Sequence, residues 1–334
     1  MLKTAMLSFA HVHANGYADQ LMKHPEAEIT RIWDDDPDRG KAAQARYNVP
    51  WSDDIDAVLA SDDVEAAVVN AETSKHPAVY KAALRHGKHL FTEKALTVAT
   101  PEADEIVKLV NESGVKFMIC LPSRTRSEIL FMKQVLDKGY LGQITLMRAR
   151  VAHSAALDKW FSGGSAWFAD EALAGGGALF DLGCHTTDVM RWFMGKPKSV
   201  LAKVNNLVNA YPIDDNSAAV IEFESGALGV LDCGWVHRSG PNPYEIYGTD
   251  GYLGLGTSPA GGMFLQSTKL SADGIKGTIS PTELPPALPH PMDQWISAIL
   301  HGTEMTITVE DGRNLTEMLD AIYTSSREGR EVKL

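Results

Sequence analysis

Asp181, His185 and Asp188 follow one another at intervals of four and three residues. On a helix such residues share a face, which places one imidazole between two carboxylates. A histidine held in a defined tautomer by such neighbours is what a general acid/base requires. A capped amphipathic helix with a hydrogen-bonded histidine is the plainer alternative. The segment opens on Gly175-Gly176-Gly177 and continues helically to Met194 before Gly195 stops it. Three successive glycines would let backbone approach a ligand closely, so the functional reading leads.

A second charged pair, Glu93-Lys94, follows the apolar run Lys88 to Thr92. At the carboxyl end of a parallel strand, where open sheets bind ligands, a cation stands ready to stabilise a developing alkoxide. With His185 it is expected to bracket a cleft between two domains. A secondary alcohol then has a base on its hydroxyl (His185) and a cation beside it (Lys94), with Asp181 orienting the base. Arg124, His153, Trp160, Trp167, Trp235 and His237 are candidates to contact a hydroxylated substrate.

These residues need a scaffold, and the apolar pattern supplies one. Thr4–Phe9, Glu28–Trp33, Ala66–Asn70, Lys88–Thr92 and Val115–Cys120 read as strands, with helices between them such as His76–Arg85 and Pro101–Asn111. Alternating strands and helices predict a Rossmann-type, doubly wound parallel sheet over residues 1–122. From residue 123 to 334 the pattern changes. A helix (Glu128–Asp137) and the glycine-led helix accompany long strands at Gln143–Val151, Ser199–Asn206, Ser217–Phe223, Ala227–Trp235 and Tyr244–Gly248. Short polar turns between them predict an α+β domain with a large, open, mainly antiparallel sheet. Two helices over residues 292–327 close the chain.

A dinucleotide-binding first strand should open into G-x-G-x-x-G. Here it opens into Ser8-Phe9-Ala10-His11-Val12-His13, without glycine. Ser8 and Ala10 are small enough for a tight turn, and His11 or Val12 is expected against the pyrophosphate or nicotinamide. Asp34 ends the second strand, about 20 residues on, where an acid bonds a ribose 2′-hydroxyl. It disfavours a 2′-phosphate, so NAD is expected over NADP. His11-x-His13 also suits a metal-dependent hydrolase or isomerase in a β/α barrel, with Lys94, His153, His185 or Asp181 as further ligands. The antiparallel strands contradict a barrel, so no metal is expected.

At 334 residues the chain is long enough for two cores. Its apolar fraction of 44% and mean hydropathy of −0.14 are those of a soluble globular protein. A net charge of −12 argues against nucleic acid or an anionic membrane as partner. Three scattered cysteines without a CxxC pair, no signal peptide and no membrane-length apolar run lead us to expect a cytoplasmic protein with reduced thiols.

Glu93-Lys94, together with Gly175-Gly-Gly-Ala-Leu-Phe-Asp181-Leu-Gly-Cys-His185-Thr-Thr-Asp188, resembles the Gfo/Idh/MocA oxidoreductases (glucose-fructose oxidoreductase, inositol dehydrogenase, rhizopine catabolism). Asp34-Asp-Asp-Pro-Asp-Arg39, Thr73-Ser-Lys-His76, Gly87-Lys-His-Leu-Phe and Gly139-Tyr-Leu-Gly142 extend the likeness over essentially the whole chain. The resemblance implies that Lys94 is the lysine of an E-K-P motif, that Asp181 and His185 complete the active site, and that Glu93, Thr73 and His76 line the cofactor cleft. It further implies an NAD-dependent dehydrogenase of a sugar, inositol or related cyclic polyol, homodimeric or homotetrameric through the C-terminal sheet. A glycosidase of the same family, using NAD without net turnover, is a second alternative. The sequence departs from the family pattern at Ala95, where the motif has proline, at Pro122, where many members carry asparagine, and at Ser8 to His13.

Overall fold

The computed structural model describes residues 1–257 and 261–334. Six strands, β1 (Leu2–Leu7), β2 (Ala27–Trp33), β3 (Trp51–Ser52), β4 (Ala66–Val69), β5 (His89–Thr92) and β6 (Phe117–Ile119), form one sheet in the order β3-β2-β1-β4-β5-β6. Every pairing is parallel. Strands β4 and β6 are buried along their whole length, as a sheet covered on both faces requires. Helices Ala14–Lys23, Pro37–Tyr47, His76–Arg85 and Thr100–Ser113 connect the strands. Asp36 caps the second of these by accepting from the amides of Asp38 and Arg39, with Pro37 at its first position. The order reverses between β1 and β4, the switch point where doubly wound sheets bind ligands.

This unit comprises Met1–Cys120 together with Phe161–Gly175 and Pro289–Thr316, two stretches from beyond position 122. Helix Pro291–His301 packs on β5 and β6. Its Trp295 is fully buried and donates an indole hydrogen bond to the Lys116 carbonyl at 3.2 Å.

The second unit comprises Leu121–Trp160, Gly176–Leu288 and Glu317–Leu334. Its strands are β7 (Ile144–Ala152), β8 (Pro197–Asn205), β9 (Asn216–Phe223), β10 (Leu228–Gly234), β11 (Tyr244–Gly248), β12 (Gly251–Leu255), β13 (Met263–Ser267) and β14 (Val332–Lys333). They lie in the order β13-β12-β11-β7-β10-β9-β8-β14, antiparallel except for the β7–β10 pair. Helix Cys184–Met194 packs against β7 and β10. Alternate residues of β9 (Ser217, Ala219, Ile221, Phe223) are buried while Ala218 and Val220 are exposed, the period of two that a one-sided sheet imposes.

Candidate active site

The loop after β1 keeps the turn of a glycine fingerprint without its glycine. Ser8 adopts a left-handed backbone, φ 72°, a conformation most side chains avoid. Its surroundings hold it there. The Ser8 amide donates to the Trp33 carbonyl at 2.6 Å, and its hydroxyl accepts from the Ala10 amide at 3.2 Å. The Phe9 amide donates to Asp34 at 2.7 Å, the His11 amide to the Asn70 carbonyl at 2.9 Å, and the Trp167 indole to the Ala10 carbonyl at 2.9 Å. Five amides of this loop, counting that of His13 on His11 Nδ1 at 3.2 Å, therefore already have protein acceptors. In a glycine-rich loop such amides face phosphate. Val12 is left 56% exposed at the tip.

Asp34 is fully buried, and Arg39 lies 2.8 Å from it, 2.9 Å from Asp35 and 3.2 Å from Glu72. The guanidinium's charge is thus neutralised by three carboxylates. Beside them a cavity of about 250 Å³ is lined by Phe9, Asn15, Arg39, Ala42, Ala43 and Arg46. Thr73 is buried in the turn after β4. His76, expected to line a cofactor cleft, is instead a buried strut. Its Nε2 lies 3.1 Å from the Ala71 carbonyl and its Nδ1 3.0 Å from both the Ala95 carbonyl and the Tyr80 hydroxyl. Burial lowers its pKa, against the pull of those carbonyls; a neutral ring donates to one carbonyl and can accept from the Tyr80 hydroxyl at Nδ1.

Glu93 and Lys94 leave β5 buried, at 1% and 6% exposure. Glu93 Oε1 accepts from the Tyr17 hydroxyl and lies 2.8 Å from His13 Nδ1 and 3.8 Å from His11 Nδ1. Burial alone would raise the Glu93 pKa. The charge of His11, the hydrogen bond and charge of His13, and Lys94 reverse this and hold it well below the usual carboxylate range. Burial, then the charge of Glu93, push the Tyr17 hydroxyl well up, and the Cys120 thiol follows for the same reasons. The result is an anionic carboxylate among proton donors.

The glycine run serves the protein's own packing. Gly175, φ 80°, ends a short helix (Glu171–Ala174) in the left-handed conformation. A β-carbon on Gly176 would collide with the Tyr323 hydroxyl, and one on Gly177 with the Asp214 carbonyl. The expected close approach is thus to a loop and a side chain of this chain. Asp214 accepts from the amides of Gly177 (2.6 Å) and Leu179 (3.2 Å) and from the Tyr323 hydroxyl (2.8 Å), while its carbonyl accepts from Ala178 (2.9 Å). It caps from outside the orphan amides that begin a helix.

That helix starts with a π turn, Leu179–Gly183, before its α-helical run Cys184–Met194. A π turn inserts a residue and re-aims those beside it. Asp181 lies within the turn and His185 in the first α-helical turn, both half-buried. Trp235, fully buried, donates its indole N–H to Asp181 at 3.2 Å. Asp188, the second carboxylate expected on that face, pairs with Arg124. It is 1% exposed and accepts from Arg124 at 2.7 and 3.0 Å, a bidentate pair that also ties Arg124, expected at substrate, into the scaffold. His153 stacks near Trp160, with ring centroids 4.7 Å apart. Burial lowers the His153 pKa, opposed by the charge of Asp181. The His237 amide donates to the His153 carbonyl at 3.1 Å. Asp181, Trp235, His153, His237 and Trp160 thus stand together, whereas Trp167 stands with the first-strand loop. Asp214 and Tyr323 went unread in the sequence, since nothing near residue 177 points to positions 214 and 323.

Residues 9–120 match the family model described as an oxidoreductase family with an NAD-binding Rossmann fold, and residues 129–254 match the GFO/IDH/MocA C-terminal domain. D-apiose dehydrogenase of Paraburkholderia graminis is 24% identical, over 92% of this chain and 83% of its own. The NAD(+)-dependent scyllo-inositol 2-dehydrogenase of Bacillus subtilis is 25% identical, over 90% and 87%. The WlbA dehydrogenase of Chromobacterium violaceum, solved with NADH and UDP-GlcNAcA, superposes with a TM-score of 0.86 at 21% identity, covering 100% of this chain and 96% of that one.

Proposed function

The chain belongs to the Gfo/Idh/MocA oxidoreductase family, and from that premise we propose that it is an NAD-dependent dehydrogenase of a sugar, inositol or related cyclic polyol. The observation that carries the reading is the parallel sheet ordered β3-β2-β1-β4-β5-β6 with Lys94 at the end of β5. A nicotinamide dinucleotide fits what surrounds its switch point: a left-handed turn at Ser8, a buried acid at the end of β2 and a cavity beside it. Ser8, Phe9, Ala10, His11, Val12, Asp34, Thr73 and Glu93 are the residues that would hold it. Because the loop amides are engaged elsewhere, His11 and His13 are the donors suited to a diphosphate. Arg39 is neutralised by Asp34, Asp35 and Glu72, which supports NAD over NADP. When bound, the nicotinamide supplies the hydride acceptor.

His185 takes the proton of the substrate hydroxyl, and Lys94 stabilises the charge that develops on that oxygen. Asp181, fixed by the Trp235 indole, orients the base or bonds a neighbouring hydroxyl. His153, Trp160 and His237 present polar and aromatic surface to a polyol. The open face of the second sheet supports a homodimer or homotetramer. Leu201, Val220 and Leu228 are 52%, 46% and 44% exposed, and Leu201 stands opposite Val220 in register; light scattering in solution measures the outcome. Cys120, Cys184 and Cys233 are buried and form no disulfide, which supports a cytoplasmic protein with reduced thiols. Among the described residues no helix is long and apolar enough to cross a membrane. The test is a panel of sugars and polyols followed at the NADH absorbance band. Turnover dependent on NAD is expected, and none across the panel with nucleotide bound would overturn the reading.

A further inference from the structure

We propose that His11, His13 and Glu93 form a binding site for a divalent cation of the zinc class. Two histidines at strand spacing supply only two ligands, and the fold brings the third, Glu93, from 80 residues away. Two imidazoles and one carboxylate suit zinc and its neighbours among the transition metals. The donor atoms all lie within 4.8 Å of one another. The separations to Glu93 Oε1 are 2.8 Å from His13 and 3.8 Å from His11. In a tetrahedral site with metal–ligand bonds of about 2.0–2.1 Å, donors stand roughly 3.4 Å apart. The two separations to Glu93 straddle that value, and the whole set lies within 4.8 Å, so side-chain adjustment would close it around an ion.

The surroundings are those of a built site. The side chains of His11 and Glu93 are 2% exposed and that of His13 is 55% exposed, so an ion reaches two buried ligands past one exposed one. The Tyr17 hydroxyl bonds Glu93, and the rings of Trp167 and Phe168 stand 6.0 and 5.3 Å from that of His11, an outer shell that fixes both ligands. The cation would displace the proton shared by His13 and Glu93 and the bond from the His13 amide to His11 Nδ1. Binding therefore releases protons and strengthens as pH rises. His11, His13 and Glu93 are also residues proposed to hold the dinucleotide, so the cation and a diphosphate would share this loop.

The experiment uses untagged full-length protein, stripped with chelator, and zinc alone as the probe. Zinc is titrated by calorimetry and by competition with a chromophoric chelator, near pH 7.5 and again near pH 6. One equivalent is expected, bound more tightly at the higher pH. Outer-shell changes typically cost roughly 10–100-fold in metal affinity. Tyr17→Phe should fall in that band, and His11→Ala, His13→Ala and Glu93→Gln should exceed it. His13 is exposed, so His13→Ala tests the site even if Glu93→Gln fails to fold. No stoichiometric zinc in the wild type, or an equivalent that survives in His13→Ala, would overturn the proposal.

Discussion

Ser8 holds a left-handed backbone with a side chain attached, whereas Gly176 and Gly177 sit in open backbone conformations with no room for one. The first loop stands where a family fingerprint has glycine and does without it, because the Ser8 hydroxyl, Asp34 and Asn70 hold the turn by hydrogen bonds. The second has three glycines, required by Val98, Tyr323 and Asp214 rather than by a ligand. The difference teaches that glycine reports a local spatial constraint, and only the neighbours say whether a ligand or the protein imposes it.

The comparison breaks most visibly at Gly177. Gly177→Ala forces a β-carbon into the Asp214 carbonyl, and we expect a loss of about 3 kcal/mol, the upper range for overpacking, with activity falling as Asp181 shifts. Urea unfolding measures the loss; a change under 0.5 kcal/mol, roughly that of an ordinary surface substitution, would show that the loop yields freely.

Glu93→Gln comes next. A carboxylate whose folded pKa is depressed contributes stability that is complete above its unfolded pKa and lost as pH falls through the folded value. Removing Glu93 should cost about 2 kcal/mol near neutrality and flatten the acid side of the stability curve. Melting temperatures from about pH 7 down to about pH 3 follow it, and equal acid slopes in both proteins would refute the charge assignment. Asp34→Ala should weaken NADH by about tenfold, the worth of one hydrogen bond to a charged group, while NADPH changes less. Tighter binding of NADPH than NADH by the wild type would contradict the cofactor reading. The smallest effect belongs to Ala10→Gly. Folding should change by under about 1 kcal/mol and NADH affinity only modestly, as fluorescence titration would show; a tenfold gain would mean that Ala10 itself limits approach to the cofactor.

Much of this architecture was legible because long apolar runs have few alternatives. The five strands from Thr4 to Cys120 and the five from Gln143 to Gly248 are each bounded by polar turns. Strands β3 and β14, of two residues each, are too short to carry a period, and glycines at 251 and 254 blur β12. The π turn was invisible, since its residues still read as helix. So was the pairing of Asp188 with Arg124, 64 residues apart. Lys94, Asp181 and His185 are proposed from motif and spacing, whereas the bond from Trp235 to Asp181 and the capping by Asp214 are contacts that no local pattern encodes.

The claim at the centre of this account is that Lys94 and His185 serve one proton and hydride transfer. Steady-state kinetics of Lys94→Ala, His185→Ala and the double variant, on whichever polyol proves active, tests it most directly. Each single change should cost roughly 10²–10⁴-fold in kcat, and the double change far less than the product of the two, as for groups that act as a unit. NADH affinity should hardly respond to His185→Ala. Near-wild-type turnover in both single variants, or losses that multiply in the double, would contradict the account.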